Sequence, residues 1–207
     1  MNNPLIVSYG AGTNSTALLI GLLDRGDVPD FITFSDTGGE RPETYEYIKL
    51  FSRWLVAHNA PAIQVIRYEC AYPTLEAECL DGNRLPGLAY GFRSCSDKWK
   101  QRPFHRWMKT HAFTNPVVCI GFDADEPHRA ERAETHASKY QRRYPLIEWD
   151  WGRDECLTEI TTAGLPLPGK SACFFCPASR KPEILALRET HPDLLERAFA
   201  MERNAIL

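Results

Sequence analysis

No apolar run in this 207-residue chain approaches the ~20 residues needed to cross a bilayer, so a membrane-spanning helix is excluded and a membrane partner is not expected. The opening MNNPLIVSYG has no basic segment and leads straight into a strand, so no secretory signal is read and a cytoplasmic location is expected. Internal repeats and low-complexity tracts are also missing. The 7 cysteines, an odd number and unevenly spaced, do not form a disulfide framework. They point to a reducing compartment with metal or thiol chemistry. A strong excess of either charge is lacking too. With 24 Lys and Arg against 27 Asp and Glu, the net charge of −3 argues against nonspecific DNA binding. The remainder is ordinary: 43% hydrophobic and 25% charged, long enough for one medium domain or one domain with a small appendage.

What is present gathers first in Pro4–Leu23, PLIVSYGAGTNSTALLIGLL. Leu5-Ile6-Val7 suits a strand buried on both faces. Gly10, Ala11, Gly12, Thr13, Asn14, Ser15 and Thr16 follow as a turn of small and hydroxyl residues, and Ala17–Leu23 reads as an apolar helix that stops before Gly26. Strand, small-residue turn and helix N-terminus in that order make an anion site. Free N–H groups and the helix dipole favour negative charge, and glycine lets the backbone approach oxygen atoms. A tight βα turn that needs glycine only for its geometry is the alternative. The Lys-Ser/Thr ending of the Walker loop and the wider spacing of the dinucleotide fingerprint are both absent.

Residues 10–15 resemble the pyrophosphate loop (PP-loop) of the adenine-nucleotide α-hydrolase-like enzymes, Ser-Gly-Gly-x-Asp-Ser. Gly10, Ala11 and Asn14 depart from it in place of Ser, Gly and Asp. The last change removes a negative charge beside the phosphates. A second strand, Phe31–Phe34, ends at Ser35-Asp36-Thr37-Gly38-Gly39, and Pro42-Glu43-Thr44 opens a helix of about four turns that carries Tyr45, Ile48, Phe51, Leu55 and Val56 inward. Asp-Thr-Gly, a short gap and Pro-Glu-Thr resembles the second signature of the phosphoadenosine phosphosulfate (PAPS) reductase branch. The resemblance implies that Asp36, Thr37 and Gly38 lie beside an adenosine.

Ala62–Tyr68 is a third strand, and a short helix is read around Thr74–Leu80. Residues 81–96 read as a long loop, taken as an active-site flap or substrate loop. A basic helix then carries Lys98, Lys100, Arg102, Arg106 and Lys109 interleaved with Trp99, Phe104 and Trp107; Ser96 or Asp97 suits its cap. Residues 91–143 hold 11 Lys and Arg against 6 Asp and Glu, a footprint for a nucleotide tail or nucleic acid, or a solvated helix face. Pro116–Phe122 is a fourth strand, with Cys119 in its apolar middle. It runs into Asp123–Ala130, at the strand end where open α/β sheets bind ligands. By resemblance, Gly121 and Arg129 face the nucleotide, Arg129 as a phosphate or sulfonyl contact. Arg142–Trp149 reads as an edge strand, and a helix from Asp154 through Ala163 ends at Gly164.

Cys173-Phe174-Phe175-Cys176-Pro177 is the second strong signal. Cys-x-x-Cys brings two thiolates to one side of a turn, and a proline after the second cysteine resembles iron–sulfur motifs; a redox dithiol is the rival. In the iron–sulfur adenylyl-sulfate reductases of the same superfamily, a Cys-Cys pair precedes such a motif by about eighty residues. Ser94-Cys95 reproduces that layout with one cysteine replaced. Cys156 is the substitute ligand, or a helix core residue beside Ile160. Helical repeats of Leu and Ile fill 182–207, with a break at His191-Pro192. PAPS reductases carry a nucleophilic cysteine in a Glu-Cys-Gly-Leu-His tail. This sequence reads MERNAIL there, which demotes sulfonucleotide reduction.

The expected fold is α/β: a mostly parallel, doubly wound sheet spanning 1–150, with a Cys-rich metal-binding and helical segment over 151–207. The expected function is ATP-dependent adenylation with pyrophosphate release, coupled to sulfur transfer. ATP with Mg2+ and a [4Fe–4S] cluster on Cys95, Cys156, Cys173 and Cys176 serve it, with zinc as the alternative metal. Ser15, Lys98 and Arg129 are the catalytic candidates. A nucleobase in tRNA or DNA, or a small metabolite, is the expected acceptor, with a sulfur donor protein as partner. Reductase-like activity with a partner thiol and a nonenzymatic zinc-stabilised binding module are the two other readings. Oligomeric state is not legible.

Overall fold

Ile6 and Val7 of β1 (Leu5–Ser8) are wholly buried, as expected for a central parallel strand. A computed structural model describes residues 3–88 and 93–206. It places β1 between β2 (Phe31–Asp36) and β4 (Val117–Ile120) in a five-stranded sheet of order β3-β2-β1-β4-β5, where β3 is Ile63–Arg67 and β5 is Gln141–Arg143. The pairings of β1 with β2, β1 with β4 and β4 with β5 are parallel, with Val7 opposite Ile32 on one side and Cys119 on the other. The α/β parallel sheet anticipated from the apolar runs is the fold observed.

The chain divides into two compact units. The first runs to Phe34 and adds Pro42–Val65 and Met108–Ser171; the second takes Ser35–Arg41, Ile66–Trp107 and the residues from Ala172 on. These units are interleaved in sequence, whereas the expected division was a single boundary at 150/151. Helix α8 (Arg153–Thr162) packs against α1 (Thr13–Asp24) and lends Cys156 and Ile160 to the first core. In that core α1 is buried almost all round, from Thr13 to Leu22, as a helix apolar on every face must be. Gly21 gives it room: a Cβ there would meet Trp149 at 2.6 Å and Trp151 at 2.8 Å. Helix α2 (Pro42–Ala57) turns Tyr47, Ile48, Phe51 and Leu55 inward. Val56, expected inside, is 54% exposed, because the buried stripe follows Thr44, Tyr47, Ile48, Phe51 and Leu55 at helical spacing. The expected edge strand over 142–149 ends at Arg143. Pro145 then starts a short helix, α7 (Pro145–Glu148), since its fixed φ and missing N–H suit a first helical turn.

The second unit is largely helical: α3 (Leu75–Asp81), α4 (Ser94–Ser96), a π-helical stretch Asp97–Gln101, α5 (Arg102–Thr110, to Trp107 in this unit), α9 (Lys181–Thr190) and α10 (Pro192–Ile206). Thr74 caps α3, its hydroxyl accepting from Ala77 N at 3.1 Å. The basic helix begins at Ser94, earlier than the expected caps at Ser96 and Asp97. Leu75, Cys79, Trp99, Phe174, Phe175, Leu187, Leu194, Leu195 and Met201 form this unit's own core. Within the expected flap over 81–96, residues 89–92 lie outside the described residues.

Candidate functional site

In the first unit the backbone turns from β1 into α1 through Gly10–Gly12. Ser15 holds that turn from inside: its Oγ accepts from Gly10 N at 3.1 Å and Gly12 N at 3.4 Å and donates to Gly12 O at 3.1 Å. Thr16 donates its hydroxyl to the same carbonyl at 3.0 Å. Ser15, expected to be catalytic, is thus also the brace of the loop. Ala11 has φ 57°, a left-handed conformation where the family pattern has glycine. The chain keeps that backbone with a methyl group at a cost of about 1 kcal/mol. Thr13, Asn14 and Ser15 form the first turn of α1, whose N–H groups have no intrahelical acceptor. An anion is the partner such a turn accepts.

The end of β4 closes on this turn. A Cβ on Gly121 would lie 3.1 Å from both N and Cα of Ser15 and 3.2 Å from C of Asn14, so glycine is what lets the two backbones approach. Two residues on, the buried Asp123 accepts from Asn14 Nδ2 at 2.7 Å. Arg153, at the start of α8, donates to Asn14 Oδ1 at 3.3 Å, and its backbone N–H donates to Asp125 at 2.8 Å. Arg129, the expected phosphate contact, pairs with Glu126 at 2.6 Å and stacks over Phe122 at 4.3 Å on α6 (Pro127–Glu134). Cys156 is wholly buried in this unit's core, its thiol pushed up to about 12 by burial and then by the Asp123 carboxylate.

The second unit gathers the other cysteines. The turn that the resemblance assigns to adenosine, Asp36-Thr37-Gly38, is knit to the Cys-x-x-Cys turn. Thr37 Oγ1 and Cys173 Sγ are in hydrogen-bond contact at 3.1 Å, Phe174 N donates to Gly39 O at 2.9 Å, and Glu40 bridges to Cys173. A Cβ on Gly39 would meet Phe175 at 2.6 Å and Cys173 Sγ at 3.3 Å. Asp36 braces the turn, accepting from Gly38 N at 2.8 Å and from Arg67 Nε at 3.1 Å. Cys176 N closes the turn onto Cys173 O at 3.0 Å.

Cys176 lies near enough to Cys95 and to Cys173 to bear on both thiols. Burial pushes the Cys95 thiol up, and Cys176 raises it further. Cys173 is pushed up to about 12 by burial, then by the Glu40 carboxylate, against the lowering effect of the Thr37 bond and the Lys100 ammonium. Lys100 Nζ lies 3.3 Å from Glu40 Oε1; burial alone would lower it, but Glu40 and then Cys173 raise it overall. Lys98, expected to be catalytic, instead bonds the buried Glu78 at 2.5 Å, as do Trp99 Nε1 at 2.6 Å and Arg84 at 2.6 Å. Those bonds hold Glu78 below the usual carboxylate range although burial opposes them. Among the described residues, no three His, Cys, Asp or Glu side chains converge tightly enough to hold a single metal ion. Lys100 and Asp123 were named within longer runs but not singled out, and Arg153 was not named. Lys100 stood in the basic run without distinction, and the partners of the other two are 109 and 139 residues away.

Fold and site together define a parallel α/β protein with a small-residue anion turn after β1 and a cysteine-rich second unit. No protein-family profile and no curated protein sequence matches the chain. Among solved structures it is similar to the U34-tRNA thiolase NcsA from Methanococcus maripaludis with its [4Fe-4S] cluster, at TM-score 0.56 and 16% identity over 98% of this chain and 73% of that one. At that identity the likeness establishes the fold. No described helix is long and apolar enough to cross a membrane.

Proposed function

We propose that the protein is an ATP-dependent sulfur-transfer enzyme that thiolates a nucleobase, with tRNA the substrate class most in keeping with its structural neighbour. The observation that carries this reading is the docking, in the second unit, of the Cys173–Cys176 turn on the Asp36–Glu40 turn beside Lys100, with Cys176 near enough to Cys95 to raise that thiol. The fold shared with a [4Fe-4S] tRNA thiolase supports it. Cys95, Cys173 and Cys176 suit an iron–sulfur cluster, whose ligands bind different irons and need not converge on one point, better than the single tetrahedral point that zinc asks for. A cluster on three cysteines supplies one iron open to sulfur. Cys156 is taken as a core residue.

The first unit's residues serve the nucleotide. First-turn N–H groups of α1 bind phosphate oxygens and stabilise charge on the departing pyrophosphate. A carbonyl oxygen of the base attacks the α-phosphorus, which forms a C–O–P linkage and expels pyrophosphate. A sulfide-level nucleophile from a sulfur donor then displaces AMP, so the carbonyl oxygen leaves with the phosphate. In the second unit, Lys100 supplies positive charge beside thiolates and Thr37 a hydrogen bond to Cys173.

The test is anaerobic incubation of the holo-protein with ATP, sulfide and unmodified tRNA, scored for pyrophosphate and by nucleoside mass spectrometry for thiolated bases. Both products are expected, each requiring ATP. Reduction of adenylyl sulfate with an added thiol would favour the reductase-like reading drawn from the two PAPS reductase signatures. Nucleotide binding with no turnover of any of these would favour the binding module.

A further inference from the structure

The phosphate loop Gly10–Thr16 carries no charge of its own. A carboxylate nonetheless stands at its first helical turn, brought by the end of β4. Asp123 is 4% exposed, and its Oδ2 accepts from Asn14 Nδ2 at 2.7 Å. Its Oδ1 is buried and has no hydrogen-bond partner among the described residues. A carboxylate in such surroundings with one oxygen unmatched is unfavourable unless something binds it. Among the described residues no side-chain cation does: Arg153 bonds Asn14 rather than Asp123. The close approach of Gly121 to Ser15 and Asn14 fixes the carboxylate against the turn, where phosphates are expected.

We infer that Asp123 is the ligand through which a divalent cation accompanies the nucleotide phosphates onto this loop, and that Arg153 moves from Asn14 onto those phosphates. The inference rests on the nucleotide reading above. Mg2+ keeps several of its waters and is commonly held by one or two carboxylates plus substrate phosphates, which is what one carboxylate beside an anion turn offers. Oδ2 is released as a second ligand oxygen when the Asn14 amide turns aside, at the loss of one hydrogen bond. Arg153 is exposed, and among the described residues its guanidinium has one long hydrogen bond and no carboxylate partner. A phosphate therefore meets little competition for it, and the planar fork of arginine suits phosphate oxygens. The carboxylate missing at position 14 is in this chain supplied from position 123.

Calorimetry on the holo-protein with ATP in chelator and with ATP plus Mg2+ separates this inference from the nucleotide reading. Mg2+ is expected to tighten ATP binding by about tenfold or more. Asp123→Asn keeps an acceptor for Asn14 but loses the charge, and should bind ATP equally with and without Mg2+. The exchange Asn14→Asp with Asp123→Asn returns a carboxylate to the same place and should restore the Mg2+ effect. Arg153→Gln should weaken ATP binding about fivefold in both conditions. One readout needs no variant: electron paramagnetic resonance of Mn2+ with ATP should change line shape when the protein is added. Full Mg2+ dependence in Asp123→Asn, indifference of the unaltered protein to Mg2+, or an unchanged Mn2+ spectrum overturns the cation site while leaving nucleotide binding intact. No ATP binding in either condition overturns both.

Discussion

Cys119 shows how much chemistry burial alone removes from a residue. It lies opposite Val7 in the sheet and is wholly buried, and desolvation pushes its thiol up to about 12. An unfolded cysteine ionises near about 8.5. The folded protein holds this proton more tightly than the unfolded chain, so the stability it confers is complete below about pH 8.5 and is lost as pH rises toward 12. The loss approaches about 1.4 kcal/mol per pH unit for each such thiol. Urea unfolding in reductant at pH 7 and pH 10 checks this: Cys119→Val should lose less stability over that interval than the unaltered protein. Equal losses would mean that the thiol is not held protonated. At this scale the sequence was legible where a residue's neighbours are sequential. Cys119, expected in the apolar middle of its strand, is an example, whereas the pairing of Arg129 with Glu126 was not read. Lys100 and Lys98 look alike in the basic run, yet the π-helical stretch between Asp97 and Gln101 gives one to Glu40 and the other to Glu78.

At the scale of elements, the apolar runs and small-residue turns were enough to announce β1, β2, β3, β4, α1 and α2. A buried parallel strand must be apolar throughout, and a helix packed against it shows its period. The edge strand expected over Arg142–Trp149 stops at Arg143, because Pro145 favours a helical first turn. The close approach of β4 to α1 was not legible at all, since a glycine in sequence does not reveal whose backbone it faces. Gly121→Ala should show that contact. A methyl group 3.1 Å from Ser15 backbone atoms forces β4 and α1 apart, costing about 1–3 kcal/mol of stability by overpacking. It should weaken ATP binding in parallel. A variant as stable as the unaltered protein, with full affinity, would mean that the loop does not depend on this contact.

At the scale of the whole molecule, segments distant in sequence share a core, which a single division at 150/151 does not describe. The second unit assembles Ser35–Arg41, Ile66–Trp107 and the residues from Ala172 around its own apolar cluster, and the first keeps α8. Each unit carries one half of the proposed chemistry: the anion turn and Asp123 in the first, the three thiols and Lys100 in the second. The cysteine spacing made Cys95, Cys173 and Cys176 the expected ligand group, and they remain the proposed one. It was silent on Cys156, which a core position and a ligand position would fill equally well on sequence alone. Iron and acid-labile sulfide, measured after anaerobic purification of the unaltered protein, Cys95→Ser and Cys156→Ser, test the central claim most directly. The account predicts about four irons per chain in the unaltered protein and in Cys156→Ser, and close to none in Cys95→Ser. One zinc per chain in place of iron, or full iron in Cys95→Ser, would contradict it.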